Sequence, residues 1–217
     1  MCGAGLLPGP LPLLPAARIG DAMHLRNTRF GYGLVAIVFH WTMALLIIGL
    51  FLFGKYMTGL DPMAPDTFAL YQLHKSMGFL VLALVVVRLA WRFANPSPAL
   101  PETMPKIERL AAHLGHAGLY ALMLAIPLSG WLMVSASPWG IPTVVFDVLP
   151  VPHLPVPSAL GTKAEAESAL KEAHELLANG LLLLVLLHVA AALKHHFLNR
   201  DDVLRRMIRT APARRTD

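Results

Sequence analysis

AHELLANGLLLLVLLHVAAAL, residues 173–193, is long and apolar enough to cross a bilayer as a helix, and it carries a histidine near each end. His174 and His188 are 14 residues apart, which on an α-helix is about 21 Å of rise and roughly 40° short of four full turns. Both imidazoles therefore face nearly the same side, at two depths. Because polar side chains inside a membrane are costly and usually functional, we expect each to face a partner.

Three further stretches are long and apolar enough to span, residues 33–53, 68–93 and 110–134. The mean hydropathy of +0.58 and the charged fraction of 14% are typical of a polytopic membrane protein. No alternating strand pattern competes, and lipid favours helices because they satisfy their own backbone. We predict an all-α membrane protein, an antiparallel four-helix bundle with helices at about 33–53, 68–93, 110–134 and 165–198, the last extended outward by the helix-forming segment 163–171.

Basic residues indicate the orientation of this bundle. Fourteen of the 18 Lys and Arg residues flank the termini and the connection between helices two and three, and the other four are Lys55, Lys75, Lys163 and Lys171. The positive-inside rule then places both termini in the cytoplasm, in a bacterial inner membrane. The net charge of +5 is mostly this topology signal, so membrane lipid is the expected partner and nucleic acid is not.

The two ends of the chain lie outside the predicted bundle. Residues 1–30 are rich in Pro and Gly at first and are expected to form a disordered cytoplasmic leader rather than a signal peptide. Translation starting at Met23 would leave a short basic head. Cys2 is the single cysteine, which excludes a disulfide framework or a Cys-based metal site. Residues 209–217 form a basic cytoplasmic tail.

Two more histidines match the depths of those in helix four. His40 is near the cytoplasmic end of helix one, like His188, and His74 is near the outer end of helix two, like His174. Each pair joins two helices, as axial ligation on both faces of a flat macrocycle requires. The pattern predicts two bis-histidine haem sites. The competing interpretation of each histidine is a polar residue at the membrane interface.

Small residues accompany these histidines. Gly78 follows His74 by one turn, Gly180 follows His174, and Ala190, Ala191 and Ala192 follow His188. They would let a planar ligand lie against the helices, or they would serve ordinary helix packing in the membrane. Pro127 is expected to kink helix three.

Charged residues lie beside both predicted sites. Arg88 and Arg92 share one face of helix two, where they would pair with carboxylates of an inner haem or snorkel to the interface. Lys75 and Lys171 lie beside the outer histidines, where they would attract a small anion or form a solvated rim.

Four other histidines lie at the cytoplasmic ends of helices three and four: His113, His116, His195 and His196. They would form a proton-accepting or quinone-contacting cluster, or they are interfacial polar ends, the interpretation we favour. His24 and His153 lie in loops, and the sequence suggests no partner for them.

Six motifs in this order resemble the bacterial cytochrome b561 family over residues 31–208: VFHW at 38–41, LHKSMG at 73–78, VVRLAWR at 86–92, AHLGH at 112–116, HELLAN at 174–179 and LHVAAALKHH at 187–196. The resemblance implies a four-helix dihaem protein with two b-type haems, ligated by His40, His74, His174 and His188. It is strongest to the subgroup that oxidises superoxide and reduces ubiquinone. The outer connection is longer and richer in Pro than in that subgroup, and Ala173 replaces a common aromatic residue.

We therefore expect a transmembrane dihaem cytochrome that transfers electrons from an outer donor, with superoxide as the candidate, to the membrane quinone pool. The alternative is a non-catalytic relay subunit for a soluble or membrane-bound partner oxidoreductase. A third possibility, a histidine-lined metal transporter, would show no haem spectrum.

Overall fold

Four long helices make up most of the computed structural model, which describes residues 24–61, 64, 66–101 and 103–210. They are α1 (Leu34–Thr58), α2 (Thr67–Ala94), α3 (Lys106–Ala136) and α4 (Lys163–Lys194). Each is long and apolar enough to cross a membrane. Successive helices pack against each other and α4 also contacts α1, so the chain forms the predicted antiparallel bundle. The predicted all-α fold class is confirmed.

Several helix ends lie beyond the apolar stretches that the sequence predicts. α1 continues five residues past Phe53, and α3 begins at Lys106, directly after Pro105. α4 begins with a capping box, in which Glu165 N–H donates to Thr162 Oγ1 at 3.3 Å and Thr162 N–H donates to Glu165 Oε2 at 2.8 Å. The helix therefore starts well outside the apolar stretch, as its helix-forming sequence indicates.

Both described chain ends lie at one end of the bundle, which we call the termini side. α4 passes into a π-helical turn (His195–Asn199), and the chain then reaches a short 3-10 helix (Arg205–Met207). Trp41 Nε1 at the start of α1 donates to Met207 O at 2.7 Å, and Arg206 Nη1 donates to Ala99 O at 2.6 Å. The C-terminal segment is thus fastened to α1 and to the connection after α2. The predicted leader 1–30 and tail 209–217 fall mostly outside the described residues.

The opposite end, the loop side, carries a β-hairpin that the sequence pattern did not predict. Strands β1 (Thr143–Val145) and β2 (Leu149–Val151) pair antiparallel, with Thr143 opposite Val151. Three residues connect the last pair, Val145 and Leu149, and two of them, Phe146 and Asp147, have φ of 51° and 56°, in the left-handed region that tight hairpin turns use. Three-residue strands are too short to show an alternating pattern in the sequence.

The buried core is a thin layer in the middle of the bundle. Met43 of α1, Val85 of α2 and Met123 of α3 form its buried cluster. α3 and α4 approach closely at Gly118, where a Cβ atom would lie 3.0 Å from Leu184 Cδ2. Large apolar side chains cover the outside of the helices, including Leu45 at 71% exposure and Leu183 at 60%. Large apolar side chains on the outside of the bundle fit a protein that is surrounded by lipid.

Candidate functional site

The structure brings the four predicted histidines together as two pairs. The ring centroids of His74 (α2) and His174 (α4) are 6.4 Å apart on the loop side. Those of His40 (α1) and His188 (α4) are 6.1 Å apart on the termini side. We call these the loop-side pair and the termini-side pair. α4 contributes one ring to each pair, as the 14-residue spacing indicated.

Both spacings fit a metal ion held between two imidazoles. A bond of about 2 Å from a first-row metal to each ring nitrogen puts the two ring centres roughly 6 Å apart. The histidine pairs already have this separation without further movement of the helices. Bis-histidine coordination of haem iron is therefore compatible with the geometry at both depths.

An apolar cavity opens beside the loop-side pair. His74 and His174 line it together with Gly78, Pro127 and Leu181. A Cβ atom added at Gly78 would meet no other atom within 4 Å, so this glycine leaves open space at the cavity wall. The other small residues singled out from the sequence, Gly180, Ala190, Ala191 and Ala192, do not line this cavity. A flat apolar ligand suits such a space.

The His174 ring is oriented by a backbone carbonyl. Its Nδ1 lies 3.0 Å from Ile126 O and 3.0 Å from Ser129 Oγ, and Ser129 Oγ donates to the same carbonyl at 2.8 Å. A proton on Nδ1 donated to Ile126 O leaves Nε2 unprotonated and available to a metal. Metal-binding histidines are commonly held by such a second hydrogen bond, which also raises the basicity of the ligand.

Each ring of the loop-side pair lies against a glycine of a neighbouring helix. A Cβ atom at Gly54 of α1 would be 3.3 Å from His74 Cε1, and one at Gly130 of α3 would be 3.2 Å from His174 Cε1. His74 Nδ1 is buried without a hydrogen-bond partner among the described residues. Sequence reasoning missed both glycines because they are distant in the chain from the histidines they contact.

The termini-side pair lies beside two arginines. Arg88 Nη2 is 3.2 Å from His40 Nδ1, and Arg88 Nη1 is 3.8 Å from Met43 Sδ. The guanidinium groups of Arg88 and Arg92 lie 5.7 and 5.5 Å from the centre of the Tyr120 ring. Within the described part of the chain, neither arginine forms an ion pair with a carboxylate. The two positive charges are thus free to compensate the carboxylates of a bound group.

The remaining histidines do not form one cluster. His116 of α3 joins the termini-side pair, with its ring centroid 5.5 Å from that of His188. His195 is buried and its Nδ1 lies 2.5 Å from Asp201 Oδ2, while its Nε2 is 3.8 Å from Glu108 Oε2. His113 is exposed to the surroundings of the bundle. His116 therefore lies at the termini-side site. The sequence did not indicate this, because His116 lies at a polar helix end.

The two lysines flank the loop-side pair with different exposure. Lys75 is half-buried, whereas Lys171 is exposed. Neither forms an ion pair with a carboxylate of the residues that the structure describes. No direct ion pair therefore neutralises either lysine within this part of the chain.

Comparison with known proteins identifies the family. The sequence model of the prokaryotic cytochrome b561 family matches residues 31–210. The chain is 37% identical over 187 residues to cytochrome b561 homolog 2 of Escherichia coli (strain K12), covering 86% of this chain and 95% of that protein. It is 30% identical over 182 residues to the probable superoxide oxidase CybB of Yersinia pestis, covering 82% and 95%. The chain therefore belongs to the prokaryotic cytochrome b561 family, which consists of electron-transferring membrane cytochromes with b-type haem.

The glycine behind His174 provides a test of the loop-side pair. Replacing Gly130 with Leu should displace the His174 ring, because even a Cβ atom there would lie 3.2 Å from Cε1. We expect the haem content per chain, measured by the pyridine haemochrome assay, to fall by about half.

Gly49→Leu is the matched control, because this glycine is exposed and a Cβ atom there would meet nothing within 4 Å. Unchanged haem content in Gly130→Leu would show that the His174 ring is not held against α3.

Proposed function

We propose that this member of the prokaryotic cytochrome b561 family holds two b-type haems and transfers electrons from a donor on the loop side to quinone in the membrane. The observation that carries the proposal is the convergence of four histidines into two pairs with centroid separations of 6.4 and 6.1 Å. His74 with His174, and His40 with His188, would each hold one haem iron between two imidazoles, which would favour electron transfer over oxygen binding.

The haems, when bound, would supply one-electron chemistry at two depths, and the chain would supply position and electrostatics. His74 and His174 would hold one haem, with Gly54 and Gly130 giving their rings room. His40 and His188 would hold the other. Arg88 and Arg92 would neutralise haem carboxylates on the termini side, because the described residues offer these arginines no carboxylate of their own.

The two pairs differ in the charge that faces their imidazoles. His174 Nδ1 faces the neutral carbonyl of Ile126 at 3.0 Å, whereas His40 Nδ1 faces the cationic guanidinium of Arg88 at 3.2 Å. A carbonyl acceptor makes the ligand more electron-rich and favours oxidised iron. A nearby positive charge favours the reduced form. The chain would thus give the termini-side pair the higher reduction potential and direct electrons toward it.

The orientation follows from the basic residues. Basic residues are more numerous on the termini side than on the loop side. The termini would therefore lie in the cytoplasm, and the loop side would face outward from a bacterial inner membrane. An outward donor would therefore meet the loop-side pair first.

Superoxide is the candidate donor. Lys75 and Lys171 carry positive charge without a direct ion pair among the described residues, and positive charge beside the loop-side pair would accelerate the arrival of a small anion. The relative from Yersinia pestis named as a probable superoxide oxidase adds support at 30% identity.

The second candidate function is a non-catalytic electron relay for a partner oxidoreductase. The 37% identical relative is named only as a cytochrome b561 homolog, with no donor in its name. Co-purification of a soluble or membrane-bound dehydrogenase would favour this function.

Single histidine substitutions test the pairing. Alanine in place of His188 should remove the termini-side haem and leave the other, because each pair has ligands of its own. We expect the haem per chain to fall from two to one in the pyridine haemochrome assay, and the same for His74→Ala.

His113→Ala is the control, because His113 is exposed and belongs to neither pair. Loss of both haems or of neither in His188→Ala would contradict the pairing. A purified wild-type protein without reduced b-type absorption bands would favour the metal transporter instead.

Arg88→Gln tests the electrostatic difference between the pairs. Removing the positive charge beside His40 should lower the midpoint potential of one haem by tens of millivolts and leave the other unchanged. A spectroscopic redox titration measures both potentials. Arg109→Gln is the matched control, since Arg109 is an exposed arginine at the start of α3; equal shifts in both variants would contradict a specific role of Arg88.

Stopped-flow mixing with superoxide tests the donor. We expect haem reduction to outpace free dismutation, and Lys75→Gln and Lys171→Gln to slow it and weaken its dependence on ionic strength. Lys163→Gln, at the exposed start of α4, is the control. Reduction no faster than dismutation would exclude superoxide and leave the relay function.

A further inference from the structure

We propose that the β-hairpin, residues 143–151, is a lipid-contacting element that lies at the edge of the hydrocarbon core of the membrane, against the outer flank of α2 and α3. The exposed face of the hairpin contacts the bilayer rather than a soluble protein. Neither the family nor the proposed electron transfer assigns a role to this segment.

The hairpin packs on the side of α2 that faces away from the haem cavity. His74 lines the cavity, and Ser76 is two residues further on, about 200° around the helix. Ser76 is nevertheless only 3% exposed. Its Oγ accepts the Phe146 N–H at 2.9 Å, so the turn of the hairpin covers it. The hairpin thus lies outside the bundle and does not close the cavity.

The hairpin also lies beside the helices rather than above their ends. Ser76 is nine residues after the start of α2 at Thr67, a rise of about 13 Å. A 28-residue helix is about 42 Å long and exceeds a hydrocarbon core of about 30 Å by only about 6 Å at each end. On the α3 side, Trp131 Nε1 donates to Pro152 O at 2.9 Å, five residues before α3 ends. By these lengths the Ser76 contact lies about 7 Å inside the hydrocarbon core, and the Trp131 contact lies close to its edge. The hairpin therefore lies at the edge of the hydrocarbon core.

Helix side chains satisfy backbone groups of the hairpin and its flanks. Besides Ser76 and Trp131, Ser135 Oγ accepts the Leu154 N–H at 2.9 Å, and Gln72 Nε2 donates to Pro142 O at 3.4 Å. Water would satisfy such groups without help from the protein. At the edge of a bilayer they need protein partners, since lipid offers few.

The surface that the hairpin turns outward is apolar except for the exposed Asp147 at its turn. Val148 is 82% exposed, Leu149 61% and Phe146 48%, and Trp139 just before the hairpin is 81% exposed. An aqueous loop would leave this area in water at a free-energy cost. Exposed Trp and Phe side chains are typical of the membrane interface. Contact with lipid therefore fits both the depth of the hairpin and the composition of its exposed face.

Cysteine labelling in a bilayer tests the proposal. In a Cys2→Ala background, single cysteines replace Val148, Ser168 or Leu183. Ser168 is exposed on the polar start of α4, and Leu183 is 60% exposed in the middle of that helix. Each variant is placed as a single copy in phosphatidylcholine–phosphatidylglycerol nanodiscs and treated with a membrane-impermeant maleimide.

We expect Val148→Cys to react at least about tenfold more slowly than Ser168→Cys, because the reactive thiolate needs water. Leu183→Cys should react more slowly still, and all three should react alike in SDS. Leu149→Cys repeats the test if Val148→Cys does not fold, as judged by gel filtration.

Two outcomes would overturn the proposal. Labelling of Val148→Cys at the rate of Ser168→Cys would place the hairpin in water. Protection that appears only when the discs hold two copies would assign the face to contact between chains instead of lipid.

Discussion

The structure depends on the cost of placing polar groups in lipid. Four helices satisfy their own backbone, and the large apolar side chains that a soluble protein would bury cover the outside of the bundle. Against that background, a histidine inside the bundle requires a partner. The loop-side and termini-side pairs meet this requirement in the same manner, each by bringing an imidazole of α4 to within about 6 Å of one from another helix.

α4 contributes one histidine to each pair, and the other three helices contribute the groups that contact these histidines. α2 and α1 each contribute one facing histidine, while α3 provides the carbonyl of Ile126 that orients His174 and the Gly130 that makes room for its ring. α3 contributes no ring to the two proposed ligand pairs, yet it contacts both of them, since the ring of its His116 lies 5.5 Å from that of His188. The helix without a proposed ligand thus forms part of the surroundings of both pairs.

The different surroundings of the two pairs suit a directional function. The groups that contact the loop-side rings are neutral and border an apolar cavity, whereas Arg88, Arg92 and His116 lie around the termini-side pair. This difference in the charge next to the rings underlies the proposed direction of electron transfer. On the loop side, the hairpin leaves the cavity uncovered because Ser76 holds it on the opposite flank of α2.

The sequence by itself determined the number of helices, their order and the depth of each histidine, because periodicity and hydropathy act over consecutive residues. It predicted Arg88 and Arg92 near the termini-side pair for the same reason. Only the tertiary structure decided that Arg88 faces His40, that Gly54 and Gly130 lie behind the loop-side rings, and that residues 143–151 fold into a hairpin beside α2. These contacts join residues far apart in the chain, and packing between helices, which local propensity does not encode, brings them together.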